Sequence, residues 1–189
     1  MKIALCGKAG SGKDTVLAIM KKLLPQNLVI CEDRFALPVK TCIAGFLGDT
    51  VENLNKSVIK HRELPSTWFT EDSHNKHLTI RDLHTIIGDA LKGTFGPDIF
   101  ATSLIERAEK FKGDHFFVVD LRFPNEAAVL RLNGFQLIKI NRNACEVVNH
   151  SSEQYIDSIE ADHILNNNGS IEELEYKVKE LMYELNLIS

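Results

Sequence analysis

Gly7-Lys8-Ala9-Gly10-Ser11-Gly12-Lys13-Asp14-Thr15 is the stretch that decides the fold of this chain. The apolar run Ile3-Ala4-Leu5-Cys6 precedes it, and apolar residues at helical spacing follow it from Val16 to Leu24. In this context of strand, glycine-rich turn and helix, the Gly-x4-Gly-Lys spacing predicts a phosphate-binding P-loop. Glycines let the backbone come close to a phosphate, while the backbone amides and the helix N-terminus supply positive potential.

Each residue of the loop receives a predicted role in binding a nucleotide. The residues expected to cradle the phosphates are Gly7, Lys8, Gly10, Ser11 and Gly12. Lys13 would reach the β- and γ-phosphates. Asp14 stands where the motif usually carries a Ser or Thr whose hydroxyl holds Mg²⁺. A carboxylate is a good ligand for Mg²⁺, although it also places negative charge beside the phosphates. We therefore expect Asp14 to act through a metal-bound water, with the hydroxyl of Thr15 nearby.

Composition excludes several classes of function. At 189 residues, with ordinary shares of hydrophobic and charged side chains, the chain suits a single domain over 1–189. The net charge of −4 argues against stable binding of nucleic acid. No run approaches the roughly 18 apolar residues of a membrane helix, and no signal peptide opens the chain. The four cysteines lack paired metal-ligand spacing, so we expect small buried thiols in a reduced, cytoplasmic protein.

Apolar runs and helical periodicities alternate along the chain. Beyond the first strand, the runs that predict strands lie at 29–31, 116–119, 136–140 and 163–165. Helical spacing predicts helices at about 35–47, 80–91, 97–110, 124–132 and 171–185, with Pro97 as a first helical residue. Strands that alternate with helices are typical of a parallel sheet with right-handed crossovers. We predict a three-layer α/β fold with a central parallel sheet of about five strands.

A second motif, Asp120-Leu121-Arg122-Phe123-Pro124-Asn125-Glu126, follows the strand at 116–119. A carboxylate at the end of that strand would face the phosphates across the switch point of the sheet. We expect Asp120 to hold hydrated Mg²⁺ or to orient an acceptor oxygen. Arg122 would clamp a substrate phosphate, because its planar fork matches phosphate geometry. Glu126 either orders Arg122 or the metal-bound water, or stabilises only the start of the next helix.

Together these two motifs resemble those of the deoxynucleoside monophosphate kinases, P-loop enzymes associated especially with tailed bacteriophages. Weaker similarity spans most of the chain, at Phe35-Ala36-Leu37-Pro38-Val39-Lys40, Thr79-Ile80-Arg81-Asp82-Leu83-His84, Gly96-Pro97-Asp98 and His150-Ser151-Ser152-Glu153. The resemblance implies a fold like that of nucleoside monophosphate kinases and Mg²⁺-dependent transfer of the γ-phosphate of ATP to a deoxynucleoside 5′-monophosphate. If the protein is encoded by a phage, it would act in the host cytoplasm. The resemblance leaves open whether it forms a homodimer.

The resemblance also implies roles for individual residues. It assigns Ser11, Lys13, Asp14 and Thr15 to the ATP–metal site, and Asp120, Arg122 and Glu126 to the surroundings of the transferring group. The substrate contacts that it implies are Lys40, Arg81, Lys92, Arg122 and His150. It makes 49–95 a substrate-binding insertion and 142–155 a lid from which Arg142 would supply positive charge to the transition state. The alternatives are an exposed surface arginine for Arg142 and a solvated helix end for Lys92.

Two positions depart from the family pattern. Leu37 replaces the Asp of the family's Phe-Ala-Asp-Pro-Leu-Lys segment, which leaves the role of that helix start open. Lys92 stands where the family often carries arginine. Lysine keeps the charge but loses the bidentate fork, so the grip on phosphate or the base selectivity would differ.

Other functions remain open at the level of sequence. The segment 162–169 is similar to a late segment of dephospho-coenzyme A kinases, and Gly-Lys-Asp loops occur in some phosphomevalonate kinases. A nucleotide-dependent switch without acceptor phosphorylation could keep the P-loop and use residues 49–79 for a partner. The motif at 120–126 favours deoxynucleotides, and the density of candidate phosphate-binding arginines argues against a switch.

Overall fold

The computed structural model of the chain describes residues 1–69, 77–143 and 153–188. The chain divides into two compact units, one formed by Met1–Phe35 with Ala101–Ser189 and the other by Ala36–Phe100. The expected insertion at 49–95 falls inside the second unit, and its substrate-binding role stays a prediction. None of the helices in the described ranges is long and apolar enough to cross a membrane.

The first unit is built around a parallel sheet. Its strands are β1 (Lys2–Cys6), β2 (Ile30–Asp33), β3 (His115–Leu121), β4 (Phe135–Asn141) and β5 (His163–Asn166). Among the described residues they form a five-stranded sheet in the order β2-β3-β1-β4-β5, and every neighbouring pair is parallel. In the register of β1, Lys2 lies opposite Phe116 of β3 and Phe135 of β4. The predicted α/β fold with a central parallel sheet is confirmed.

The strand order places a topological switch point between β1 and β3. The connection from β1 leads to β2 on one side of the sheet, and the connection from β3 leads to β4 on the other side. The neighbouring strands β1 and β3 therefore flank this point. Ligands of open α/β sheets bind outside the carboxyl ends of the strands at such a point. The glycine-rich loop follows β1, and Asp120 lies in the last part of β3.

The helices account for most of the remaining described chain. In chain order they are α1 (Lys13–Leu23), α2 (Leu37–Leu47), α3 (Val51–Leu54), α4 (Ser57–Lys60), α5 (Ile80–Phe95), α6 (Ile99–Lys110), α7 (Pro124–Leu132) and α8 (Ile171–Glu184). Turns of 3-10 helix cover Ser66–Trp68 and Glu153–Ser158. The prediction that Pro97 begins a helix is wrong by two residues. Gly96 has a φ of 94° and turns the chain before α6 begins at Ile99.

The core of the first unit joins α1 and α8 to the sheet. The two helices share a buried cluster with the central strands, to which they contribute Val16, Leu17, Met20, Leu174, Val178 and Met182. Cys6 is also buried, and burial is the main cause that raises the pKa of its thiol to about 11. The expectation of buried thiols is wrong for Cys42, which is exposed on α2. Cys145 lies outside the described residues.

The second unit has a small core of its own. Side chains of α2, α3 and α5 meet in it, including Val39, Ile43, Leu54 and Ile80. An isolated antiparallel bridge joins Glu63 to Thr79 just before α5. That helix begins with a capping box, in which Asp82 accepts a hydrogen bond from the Thr79 backbone amide at 2.8 Å and donates its own amide to the Thr79 hydroxyl.

Candidate active site

The glycine-rich loop lies tightly against the end of the sheet. Gly10 and Gly12 have φ values of 75° and 97°, in the left-handed region that side chains disfavour. A Cβ atom on Gly7 would lie 2.5 Å from the carbonyl oxygen of Ile140 in β4 and 2.6 Å from the hydroxyl oxygen of Ser11. The close approach of the loop to β4 therefore requires glycine at position 7.

Ser11 lies at the centre of the loop and is fully buried. Its backbone amide donates to the carbonyl oxygen of Lys8 at 3.1 Å. Its carbonyl oxygen accepts a 2.9 Å hydrogen bond from the side-chain amide of Asn167, which follows β5. Among the described residues, nothing forms a hydrogen bond with the Ser11 hydroxyl oxygen. The loop is thus braced by Asn167 and contains a buried polar atom that a ligand oxygen could satisfy.

Positive charge lies on the loop itself. The ammonium of Lys13 donates to the carbonyl oxygens of Gly7 and Lys8 at 2.7 and 2.9 Å. Arg142, directly after β4, donates from its guanidinium to the carbonyl oxygen of Gly10 at 3.3 Å. The Lys8 ammonium is 2.9 Å from a carboxylate oxygen of Asp157. The predicted lid at 142–155 is described only in part, and the predicted substrate contact His150 lies outside the described residues.

Asp14 is the second residue of α1, and its carboxylate contacts a cation that the sequence did not predict. Its Oδ1 atom is 3.0 Å from the guanidinium of Arg34, which also lies 3.0 Å from the carboxylate of Glu32. Burial opposes the charge on Arg34, but its hydrogen bonds to both carboxylates outweigh that effect and raise the pKa of the guanidinium. Thr15 is exposed on the first turn of α1, beside Asp14.

The backbone that carries Arg34 is held by a partly buried ion pair. Asp33 is only 4% exposed, and its carboxylate meets Arg107 at 2.7 and 3.1 Å. Arg107 also donates to the carbonyl oxygen of Arg34 at 3.1 Å, while the Arg34 amide donates to Asp33 at 2.6 Å. The next amide, that of Phe35, donates to Asp120 at 3.1 Å. Asp120 thus ties the end of β3 to the segment after β2.

Glu126 contacts the start of α7. One carboxylate oxygen accepts hydrogen bonds from the backbone amides of Arg122 and Phe123, both at 3.2 Å. These are the contacts of a residue that stabilises a helix start, which is one of the two roles left open by the sequence. The same contacts hold the backbone of Arg122, whose side chain is exposed.

The other predicted substrate contacts belong to the second unit. The Lys40 ammonium donates to the side chain of Asn55 at 2.7 Å, and that of Lys92 lies 5.7 Å from the ring centre of Phe100. Arg81 is exposed in the first turn of α5. Burial, followed by the charges of Lys40 and Lys60, lowers the pKa of His84. Lys40 was among the predicted substrate contacts, whereas Lys60, which also lowers this pKa, was not.

Three residues of the first unit were also missed. Arg34, Arg107 and Asn167 carry the contacts that shape the loop and its surroundings. Arg34 and Asn167 directly follow strands of the parallel sheet, as Arg122 does after β3. The rule that polar residues at the carboxyl ends of strands face the ligand would have found both. Arg107, in the last turn of α6, carries no such signal.

Comparison with solved structures finds kinases of several kinds. A sugar kinase from Janibacter sp. HTCC2649 is 14% identical, with 98% of this chain and 94% of that chain covered and a TM-score of 0.46. Shikimate kinase from Aquifex aeolicus vf5 is 13% identical, with 98% and 96% covered and a TM-score of 0.47. Dephospho-CoA kinase from Campylobacter jejuni is 15% identical, with 98% of each chain covered and a TM-score of 0.45.

Comparison of sequences is more specific. No curated protein sequence shows significant similarity to the chain. The family model described as deoxynucleotide monophosphate kinase matches residues 46–178. This range includes the motif at 120–126, while the glycine-rich loop at 7–15 precedes it. Because the match covers more than half of the chain, the protein belongs to the deoxynucleotide monophosphate kinase family.

Proposed function

We propose that the protein uses Mg-ATP to phosphorylate deoxynucleoside 5′-monophosphates to diphosphates. Membership of the family supports a phosphotransferase that acts on nucleotides. The observation that carries the proposal is the position of the Lys13 ammonium, which contacts the carbonyl oxygens of Gly7 and Lys8 inside the glycine-rich loop. A lysine at this position can exchange two neutral carbonyl partners for the charged oxygens of a phosphate chain.

The loop is suited to the phosphates of ATP for reasons of shape and charge. Its glycines leave the backbone accessible to the phosphates, and α1 points its N-terminus at the same place. Arg142 adds a second cation at the carbonyl of Gly10. The buried Ser11 hydroxyl lies beside Gly7, within the loop. These groups would hold the phosphates and balance their charge.

The residues present also fit a magnesium ion. Within the described ranges, no three His, Cys, Asp or Glu side chains come together as a metal site. Such a cluster is not needed, because Mg²⁺ in phosphotransferases keeps several waters and binds through one or two carboxylates and the substrate phosphates. The hard-oxygen donors that would hold it are Asp14, Thr15 and Asp120. When bound, Mg²⁺ supplies positive charge to the phosphate oxygens.

The reaction that we propose is an in-line displacement at the γ-phosphorus. An oxygen of the acceptor's phosphate would form a bond to the γ-phosphorus as the bond to the β–γ bridging oxygen breaks and ADP leaves. The acceptor is an anion near neutral pH, so it needs no strong general base. Lys13, Arg122 and Arg142 would balance the charge that develops. Lys40, Arg81 and Lys92 would contact the acceptor, and the segments 49–79 and 142–155 would exclude water.

The first experiment is a substrate panel. The purified protein is mixed with Mg-ATP and each common dNMP, the matching ribonucleotides or dephospho-coenzyme A, and the products are separated by chromatography. We expect dNDP, and a loss of at least about 100-fold in kcat for Lys13→Ala, because a group that balances transition-state charge is removed. We expect Arg122→Ala to lose activity as well. Lys22→Ala, an exposed position on the same helix, serves as the matched control.

Other outcomes would contradict the proposal in different ways. If the protein phosphorylates dephospho-coenzyme A and forms no dNDP, it is a small-molecule kinase, but the proposed acceptor is wrong. ATP binding without any acceptor product would favour a nucleotide-dependent switch. Full dNMP kinase activity in Lys13→Ala would overturn the role given to the loop.

A further inference from the structure

We propose that Arg34 is a positioning residue of the nucleotide site, whose task is to neutralise Asp14. The glycine-rich loop carries a carboxylate where the motif usually carries a hydroxyl, and the structure supplies a cation 3.0 Å from that carboxylate. The two residues would then act as one unit, in which Arg34 removes the electrostatic penalty that Asp14 imposes on phosphate binding. This inference rests on the nucleotide site described under the proposed function.

The need for such a partner follows from charge. Asp14 directly follows Lys13 in the first turn of α1, so its carboxylate stands beside the site predicted for the phosphates. An ionised carboxylate near a polyphosphate raises the free energy of binding, since like charges a few ångströms apart repel at the modest effective dielectric of a protein surface. The threonine or serine of the usual motif has no such effect. A compensating cation allows the carboxylate to remain.

The charge of Arg34 is available to Asp14 because Glu32, the second partner of Arg34, is also paired with another cation. Glu32 lies 3.0 Å from Arg34 and 2.6 Å from Lys21. The row Asp14, Arg34, Glu32 and Lys21 therefore alternates in sign, and its formal charges cancel. Asp120 is a further carboxylate that acts electrostatically on Arg34. Without Arg34, Lys21 would be the remaining cation of this row, beside the three carboxylates Asp14, Glu32 and Asp120.

The fold of the segment around Arg34 depends on its backbone contacts and not on its side chain. The backbone of residues 33–35 is held by Asp33, Arg107 and Asp120, through bonds to the amide and carbonyl of Arg34 and the amide of Phe35. None of these bonds uses the guanidinium of Arg34. The Arg34–Asp14 pair itself has exposed fractions of 33% and 78%, and ion pairs of that kind contribute little to folding. Removal of the side chain should leave the fold intact.

A double-mutant cycle between Asp14→Ser and Arg34→Ala tests the inference. The dissociation constant of ATP is measured by calorimetry in EDTA, so that any metal ligation by Asp14 does not contribute. We expect Arg34→Ala to weaken binding about tenfold in the presence of Asp14, a change that fits the loss of one close charge interaction. In the Asp14→Ser protein, the same Arg34→Ala change should alter the constant less than about threefold. Arg34→Lys keeps the charge and should bind nearly as tightly as the unchanged protein.

The controls exclude effects on folding. Thermal unfolding of each variant checks that the fold is retained, and Lys22→Ala, which breaks the exposed pair with Glu175, should leave the ATP constant unchanged. If Arg34→Ala fails to fold, the comparison of Arg34→Lys with Arg34→Gln in both backgrounds replaces it.

Two results would overturn the inference. An equal loss in both backgrounds would mean that Arg34 contacts the nucleotide directly, and no loss in either would mean that the pair is irrelevant to binding. The assay reads ATP binding and not turnover. A protein that binds ATP but phosphorylates no dNMP would therefore contradict the proposed function while the cycle still decides the role of Arg34.

Discussion

The side-chain amide of Asn167 donates a 2.9 Å hydrogen bond to the carbonyl oxygen of Ser11, across 156 residues of chain. Asn167 follows β5, and its own backbone amide donates to the carbonyl oxygen of Asn141 at the end of β4 at 2.7 Å. A Cβ atom on Gly12 would lie 2.5 Å from the same side-chain nitrogen. One buried amide thus connects the ends of two strands to the centre of the glycine-rich loop.

We expect substitution of Asn167 to weaken both the fold and nucleotide binding. In Asn167→Asp the donor becomes an acceptor of the same shape, so the buried carbonyl of Ser11 loses its partner and faces a carboxylate. The loss of a partner for a buried polar group costs about 1–3 kcal/mol. Urea unfolding and ATP titration would measure the two effects. Asn166→Ala, at an exposed neighbouring position, should change the free energy of unfolding by less than about 0.5 kcal/mol.

Asn167→Ala separates the loss of the hydrogen bond from the effect of an added negative charge. It removes the donor without adding charge, and a water could take its place, so we expect a smaller loss than in Asn167→Asp. If both variants match the unchanged protein in unfolding and in ATP affinity, the hydrogen bond does not support the loop.

Much of the fold could be predicted because it depends on local pattern. The strand before Gly7, the loop and the helix after it lie within about two dozen residues, and their geometry is set by the positions of glycines and apolar side chains. Continuous apolar runs such as Phe116 to Val119 indicated buried parallel strands in the same way. Asp120 was predicted as a site residue from its place at the end of the strand at 116–119, and that role stays a prediction.

The contacts that the sequence did not predict join distant segments. Arg34 meets Asp14, and Asn167 meets Ser11, only because the strand order is β2-β3-β1-β4-β5. Periodicity predicts strands but not their order, so it cannot say which strand ends are neighbours. The start of α6 was misplaced for a local reason, since Gly96 adopts a positive φ and adds a turn before Ile99.

A comparison of two glycines tests how closely the loop approaches the sheet. Gly10→Ala would place a methyl group in open space, so its cost comes from the positive φ of 75° and should be about 1 kcal/mol. Gly7→Ala would bring a methyl carbon 2.5 Å from the carbonyl oxygen of Ile140, in a strand of the central sheet that cannot shift freely. We expect about 3 kcal/mol for Gly7→Ala, from overpacking against this carbonyl oxygen. Urea unfolding of both variants checks the difference. Equal losses would mean that the loop can move away from β4.

The buried pair of Asp33 and Arg107 is the interaction in this region on which stability should depend most strongly. Arg107→Ala would leave the Asp33 carboxylate, only 4% exposed, with the amide of Arg34 as its remaining hydrogen-bond partner among those described. Breaking a buried ion pair by removing one partner costs about 3–5 kcal/mol. Arg107 is itself 27% exposed, so water can enter in its place, and we expect a loss of about 2–3 kcal/mol.

The measurement is urea unfolding of Arg107→Ala beside two further variants. Lys22→Ala breaks a pair whose side chains are 71% and 45% exposed, and should lose no more than about 0.5 kcal/mol. The combination of Arg107→Met with Asp33→Asn removes both charges and should recover part of the loss, because no buried charge is left without its partner. Since Arg107 also binds the carbonyl of Arg34, we expect Arg107→Ala to weaken ATP binding as well. A loss no larger than that of Lys22→Ala would show that the segment after β2 is held by its remaining contacts, including the bond from Phe35 to Asp120.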